Sequence, residues 1–479
     1  MSSTIPFSVL RGTYPNAIGV MSFNVLLPNS VGGDGWWCYK MYSPRHMNSL
    51  EAKKISEWAE RSKLIESIIR ESECDVICLQ EVCADTFSND FGFMSDLGYD
   101  KHEIYKKGRF RPATFWRSSR LELFNQPIHR DRCLITAFTP PKNLTVPIEN
   151  NKYLWVANVH LQAGSHQASR RFRQGFDCLD TIRKEQSKVL GRKSKAVPAM
   201  TTLFAGDMNV DGPECGAVGA VDQLLLTGHV SKDFMEAGVA VSSRDRSLAL
   251  PVFSDPVALE YSEKGLPPPP TMVVEDLYSI LALPAEEVAD QKTSSEHQTA
   301  EEAESEGPGA QRLSPWAEAA LKEVYLERAR TDLGGHRVMG LKDVEAWLTT
   351  INGQVGRGSE FRAAAAAMQG EGSPGLGEDE EFPRPHLPAE GHLTLEAFLS
   401  VYRAELNQGK VWGVAHDLAA LGRPPPLGPG QLFRARFDRL YLAGPSQPLT
   451  GHTPRADRAL PHELHPSDHL PVTALFDWR

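Results

Sequence analysis

The chain has 479 residues, too many for one ordinary domain, so two or three folded units are expected. Hydrophobic residues supply 41% and charged residues 23%, which supports a large soluble core and excludes a mainly disordered chain. With 61 acidic against 51 basic residues the net charge is −10, so bulk charge shows no strongly basic face for nucleic acid, and any basic cleft is a local feature.

The opening residues, MSSTIPFSVLRGTYPNAIGV, show no basic stretch followed by an apolar one, and nowhere do 18 apolar residues run together. A cytoplasmic protein is expected, with the nucleus as the alternative; neither secretion nor a membrane span is. The seven cysteines are odd in number and form no metal-binding pattern of paired CxxC or HxxxH motifs, so reduced thiols are expected.

Ile18–Val25 (IGVMSFNV) reads as a buried strand. A Gly- and Trp-rich loop follows, in which Trp36, Trp37 and Tyr39 could stack on bases or anchor the loop. Leu50–Glu73 carries Ile55, Trp58, Ile65, Ile68 and Ile69 near a 3.6-residue period and predicts an amphipathic helix. Asp75–Leu79 (DVICL) is an apolar run of strand length ending at Gln80-Glu81. A helix followed by a buried strand indicates an α/β layered fold.

Further strands are expected at Ala113–Arg117, Leu134–Phe138, Tyr153–Leu161 and Thr202–Ala205, with a helix over Ser165–Leu190. Near the end, Arg436–Leu442 and Val472–Phe476 also read as strands. Two basic clusters stand out: Lys106, Lys107, Arg109 and Arg111, then Arg170, Arg171 and Arg173. They suit either solvated faces or a track for a phosphate backbone, with Arg109, Arg111 and Arg170 as the candidate substrate contacts.

The middle differs in composition. Residues 286–310 are acidic and poor in large apolar side chains, as expected of a disordered linker. From Ser314, SPWAEAALKEVYLERA has a serine cap, proline in the first turn and a helical apolar period. The expected organisation is thus an α/β domain in two pieces, 1–285 and 431–479, around a linker (286–310) and a helical module (311–430).

Polar residues interrupt or end the apolar strands: Asn24 in SFNV, Glu81 in LQEV, Asn158 and His160 in NVHL, Asp207 and Asn209 in GDMN, Asp438 in RFDRLY, and Asp468-His469 in SDHLP. Asn158 and His160 are two residues apart and therefore share a sheet face. Such groups cannot stay buried singly, so convergence on one cation and one phosphate is expected. Oxygen-rich ligands suit Mg²⁺, or Mn²⁺, rather than zinc.

In this order the motifs resemble the endonuclease/exonuclease/phosphatase (DNase-I-like) superfamily, over residues 18–260 and 431–479. The first half is similar to the nocturnin and CCR4-type deadenylase branch, through DVICLQEV and the ATFW strand. RFDRLYL and HLQAGSHQASRRFRQ are closer to the 5′-tyrosyl-DNA phosphodiesterases. The resemblance implies an α/β fold of four layers, two packed mixed sheets flanked by helices. It implies Mg²⁺-dependent hydrolysis of a phosphodiester in RNA, DNA or a nucleotide. Glu81 would bind the metal with Asn24 beside it, and Asp207 would orient or deprotonate the attacking water. Asn209, Asn158 and His160 would face the phosphate, His469 would support the developing charge with Asp468 fixing its tautomer, and Asp438 would belong to the same cluster. An inositol or lipid phosphate phosphatase or sphingomyelinase-like enzyme is the alternative. A calcium-responsive scaffold with an inert catalytic domain is a third reading.

Within the module, GHLTLEAFLSVY (Gly391–Tyr402) resembles the second half of an EF-hand. Taking Gly391 as loop position six places His386, Pro388 and Ala397 at positions one, three and twelve, where carboxylates would be needed. ARTDLGGHRVMGLKDVEAWL, with Asp332 and Asp343 at the loop ends, could be a first such hand. The ligand sets argue against Ca²⁺ and for a spacer or a surface for a protein partner.

Overall fold

The computed structural model describes residues 6–30, 56–105, 107–141, 153–164, 167–191, 200–210, 218–283, 312–331, 334–356, 358–369, 386–407, 410–426, 432–462 and 465–478. The linker 286–310, the loop with Trp36, Trp37 and Tyr39, Asp332 and the start of the helix expected from Leu50 lie outside these residues. The chain divides into two compact units, one from the described residues up to 275 and from 432 onward, the other from those of 276–431.

The first unit is built on two mixed sheets. The first sheet contains β1 (Ala17–Asn24), β2 (Val76–Val82), β3 (Lys101–Ile104) and β4 (Arg111–Trp116), in the order β3-β4-β2-β1, then Val472–Asp477 and Gln447–His452. The second contains β5 (Glu122–Leu123), β6 (Ile128–Arg130), β7 (Cys133–Thr139), β8 (Leu154–His160) and β9 (Thr201–Asp207), followed by Asp438–Ala443. In each sheet one central pair is parallel, β1 with β2 and β8 with β9, and both have antiparallel neighbours.

Strand alternation sorts the side chains into layers. Ile18 and Val20 of β1, Val76 and Cys78 of β2, Leu154 and Val156 of β8, and Leu203 and Ala205 of β9 form one core between the sheets. The opposite parity, Met21, Phe23, Ile77 and Leu79, packs on the outer helix Trp58–Ser72 through Ile65 and Ile69. Trp155, Ala157, Val159 and Phe204 likewise pack on Ala168–Val189 and Ala220–Thr227. The order is therefore helix, sheet, sheet, helix, the four-layered α/β arrangement expected.

The second unit is mainly helical. Helices Pro315–Arg328 and Leu341–Asn352 flank one loop, and Gly358–Gln369 and Leu395–Asn407 another. Ser314 caps the first, its Oγ accepting from Ala317 N at 3.1 Å, as its sequence predicts. The loops pair antiparallel at Met339–Leu393 and Gly340–His392. Trp347, Phe398, Tyr402 and Tyr325 fill the core, and helix Val411–Ala420 adds Val414, Ala415 and Leu418 to it. Asp343 accepts from Gly340 N and pairs with Arg330 at 3.0 Å.

Candidate active site

The layer between the sheets turns polar at one end. Asn24, His160 and Asp207 are the last residues of β1, β8 and β9 and continue the inward parity of those strands. Asp438 opens its strand directly opposite Asp207. Asn24, Asn158 and Asp438 are fully buried, and Asp207, His160, Asp468 and His469 are at most 5% exposed. Groups so deprived of water must satisfy one another or a ligand.

Glu81 enters by a different device. Its parity alone would turn it toward the outer helix. A bulge in the β2–β4 pairing between Leu79 and Val82, with φ of +60° at Glu81, swings the carboxylate inward. There Asn24 Nδ2 donates to Glu81 Oε1 at 3.3 Å and to Asp207 Oδ2 at 3.0 Å, so one amide bridges the two acids. Leu27 N donates to Glu81 Oε2 at 3.1 Å, and Asn209 N to Asp207 Oδ1 at 2.9 Å. Burial pushes the Glu81 carboxyl above its usual range.

His160 faces the same two acids, its Nε2 3.6 Å from Glu81 Oε1 and 3.8 Å from Asp207 Oδ2. Burial holds its pKa down at about 4, and Nδ1 lies 3.5 Å from the Phe110 carbonyl. With the proton on Nδ1, a lone pair and two carboxylates surround one point. Two carboxylates and an imidazole lone pair can hold a divalent cation, and the carboxylate oxygens fit Mg²⁺ or Mn²⁺.

Opposite stands His469. Its Nδ1 is 2.7 Å from Asp438 Oδ2, and its Nε2 3.9 Å from both Asp207 and Asp468. Burial alone would lower its pKa, but Asp438, Asp468 and Asp207 outweigh that and hold it well above the ordinary histidine value. Asp207, Asp438 and His469 also lie close enough to hold an ion together. Asp438 already engages His469 Nδ1, whereas Glu81, Asp207 and His160 Nε2 face one another, so the cation fits beside Glu81.

Several expectations change in detail. Asp438, rather than Asp468, orients His469, because Asp468 stays beyond hydrogen-bond range. Burial raises the Asp468 carboxyl, and Glu81 and Asp207 add to the rise. Asn24 turns its oxygen to Leu26 N at 3.1 Å, so its amide nitrogen, not a metal-binding oxygen, faces the acids. Asn158 shares the inward face with His160, yet its Nδ2 donates to the carbonyls of Leu79 (3.1 Å) and Ala113 (2.8 Å) and its oxygen accepts from Gln80. Both donors tie the sheets together and none remains for a phosphate. Asn209 donates to Leu161 O at 3.0 Å and so braces the Asp207 loop.

Of the basic residues, Arg109 is exposed and Arg111 half-buried, and they flank Phe110. Arg170 reaches Asp131 at 3.6 Å, beside Arg132, whose carbonyl accepts from His160 N. Arg171 is removed from any phosphate track: it is buried on Glu236 at 2.6 Å. Residues not expected from sequence are Thr271, whose Oγ1 accepts from Asp438 N at 2.9 Å, and Arg61. Neither belongs to a motif that ends a strand.

Stacked mixed sheets whose shared polar end carries paired acids and a buried Asp–His couple are the layout of a hydrolytic phosphoesterase. Residues 21–255 match the model of the Endonuclease/Exonuclease/phosphatase family. No curated protein matches the sequence significantly. Among solved structures, the chain is similar to ANGEL2, a 2′,3′-cyclic phosphatase, in complex with adenosine-2′,3′-vanadate. They share 15% identity over 97% of this chain and 96% of that one, with a TM-score of 0.43. Truncated Caenorhabditis elegans TDP2 shares 13% over 96% and 97%, TM-score 0.38. The human Nocturnin catalytic domain with bound sulfate shares 20% over 45% and 71%, TM-score 0.29. At such values these likenesses fix neither substrate nor mechanism. No helix of the described residues is long and apolar enough to cross a membrane.

Proposed function

We propose that the chain is a Mg²⁺- or Mn²⁺-dependent phosphodiesterase acting on RNA, DNA or a nucleotide. The observation that carries this reading is the opposition, in one buried cluster, of the Glu81–Asp207 pair and the Asp438–His469 couple. Glu81 and Asp207, with His160 alongside, would hold the cation, which would supply charge neutralisation at the phosphate and a more acidic water.

The chain's own groups supply the rest. Asp207 accepts the proton of the attacking water while Asn209 fixes its carboxylate. His469, held as imidazolium by Asp438, donates to a phosphate oxygen where negative charge develops. Asn24 sets the distance between the two acids, and Asn158 holds the sheets beneath them. Arg109, Arg111 and Arg170 border this end and suit the phosphates of a longer substrate. The second unit reads as a pair of degenerate EF-hands that serves as a spacer or protein-binding module.

The test is turnover by the full chain of oligoadenylate RNA, 5′-phosphotyrosyl DNA, an inositol polyphosphate and NADPH with Mg²⁺. Cleavage of a nucleic acid or nucleotide, abolished by chelation and by Asp207→Ala, is expected. Turnover of the inositol polyphosphate alone would move the protein to the other class. Wild-type activity no greater than that of Asp207→Ala on every substrate would overturn the reading.

A further inference from the structure

Arg61 lies in the outer helix Trp58–Ser72, yet its side chain is fully buried. Its Nε donates to the Pro466 carbonyl at 3.0 Å. Nη1 donates to the Leu27 carbonyl at 3.3 Å and to Asn29 Oδ1 at 2.9 Å. Nη2 donates to the carbonyls of Val25, at 2.6 Å, and Leu26. One planar fork thus gathers three successive carbonyls that follow β1 and one that precedes Ser467-Asp468-His469.

The far ends of those peptide groups matter more. The peptide whose oxygen is Val25 O has the Leu26 N–H on its other edge, which donates to Asn24 Oδ1 at 3.1 Å. The peptide whose oxygen is Leu26 O has the Leu27 N–H, which donates to Glu81 Oε2 at 3.1 Å. A trans peptide is rigid and its C=O and N–H point oppositely, so fixing the oxygen aims the hydrogen. Leu26 adopts φ of +52°, a strained conformation for such a side chain, and this is what converges the three carbonyls on Arg61. On the other side, Ser467 Oγ donates to Asn24 O at 2.7 Å and accepts from His469 N at 3.2 Å.

We propose that Arg61 is a positioning residue for the phosphoester hydrolysis. Its guanidinium sets Asn24 and Glu81 through two peptide planes and, through Pro466, the loop that carries Asp468 and His469. It touches neither substrate nor cation. Lysine keeps the charge but offers no planar fork, so Arg61→Lys separates geometry from charge. The inference rests on the phosphodiesterase reading only for its effect on turnover.

The experiment compares wild type, Arg61→Lys and Arg61→Ala as full chains. Hydrogen exchange is followed in the segments 24–28 and 465–470, and Mn²⁺ binding by electron paramagnetic resonance. Mg²⁺-dependent turnover is measured on bis(4-nitrophenyl) phosphate and on any substrate wild type cleaves. In Arg61→Lys both segments should exchange at least tenfold faster while the rest of helix Trp58–Ser72 is unchanged. Mn²⁺ affinity and kcat should fall tenfold or more, with KM within threefold. Added guanidinium at millimolar concentration should restore part of the kcat of Arg61→Ala. Unchanged exchange in the two segments of a folded Arg61→Lys overturns the proposal. So does loss that spreads evenly over the unit. If wild type binds no Mn²⁺ and turns nothing over, the metal reading falls while the exchange result still decides on Arg61.

Discussion

His469 Nδ1 lies 2.7 Å from Asp438 Oδ2, whereas its sequence neighbour Asp468 reaches no closer than 3.9 Å. The contact joins residues 31 apart, brought together because Asp438 opens a strand of the second sheet and His469 precedes the strand Val472–Asp477 of the first. The couple therefore spans both sheets at their shared polar end. Removing its acceptor should misorient the imidazole and lower its proton affinity, since the Asp438 charge is the foremost influence raising it.

Asp438→Asn should accordingly cut kcat on the order of 10³-fold or more, the scale seen when the carboxylate behind a catalytic histidine is replaced by an amide. Asp468→Asn should cost much less, about tenfold. Steady-state kinetics on the substrate found for wild type, with circular dichroism to confirm folding, checks the ranking. Equal losses in the two variants would return the orienting role to Asp468.

Asn158 makes an opposite prediction. Its amide satisfies the Leu79 and Ala113 carbonyls at the seam of the two sheets. Asn158→Ala leaves those acceptors buried and opens a small void, at a cost of roughly 2–4 kcal/mol. The denaturation midpoint should fall, while kcat per folded molecule changes by less than about threefold. A large kcat loss at unchanged stability would instead make Asn158 a phosphate donor.

A third prediction concerns acid stability. Burial holds the His465 pKa down at about 4, its ring edge-on to Phe23 with centroids 6.0 Å apart. In the unfolded chain the same group titrates near 6.5, so the unfolded state binds the extra proton first. The contribution is thus fully present above about pH 6.5 and is lost as pH falls from there toward 4. With partial exposure discounted, the loss is about 2 kcal/mol. His465→Gln should make urea-denaturation stability fall less steeply between pH 7 and 4.5, the remaining slope including that of His160, likewise held at about 4; a profile as steep as that of wild type would remove His465 as a source.

How much of this was legible follows from strand parity. Asn24, Asn158, His160, Asp207 and Asp438 could be assigned to one polar cluster because each interrupts or ends an apolar strand, and Asn158 and His160 to one sheet face by their spacing. Glu81 was identified by its motif, but the bulge and positive φ that turn it inward leave no mark in composition. Parity places a side chain on a face without saying which partner it meets; the phosphate role of Asn158 came from the resemblance, and Arg171 was grouped with its basic neighbours by position alone. Adjacency misled at Asp468-His469, because neighbours on a turning loop diverge while a distant strand supplies the acceptor. Thr271 and Arg61 act through backbone groups, which no residue pattern reveals.

Thr271 provides the last prediction. Fully buried, it accepts from Asp438 N through Oγ1 at 2.9 Å, donates its own N–H to Ala435 O at 2.9 Å, and accepts from Leu470 N at 2.6 Å. One residue therefore links the backbone of Asp438 to the backbone following His469. The strand it precedes, Met272–Glu275, pairs with Leu432–Ala435, and the chain between these strands forms the second unit. Thr271→Val keeps the shape and the two backbone bonds and removes only the acceptor for Asp438 N, leaving that amide unsatisfied at a cost of about 1–3 kcal/mol. Relaxation of Asp438 away from His469 should lower kcat about tenfold with little change in KM. It should also lower the upper limb of the pH–rate profile, because His469 loses part of the charge that keeps it protonated. Thr271→Ser, which restores the acceptor, should recover most of the rate. Equal kinetics for the valine and serine variants would show that this hydroxyl does not set the couple.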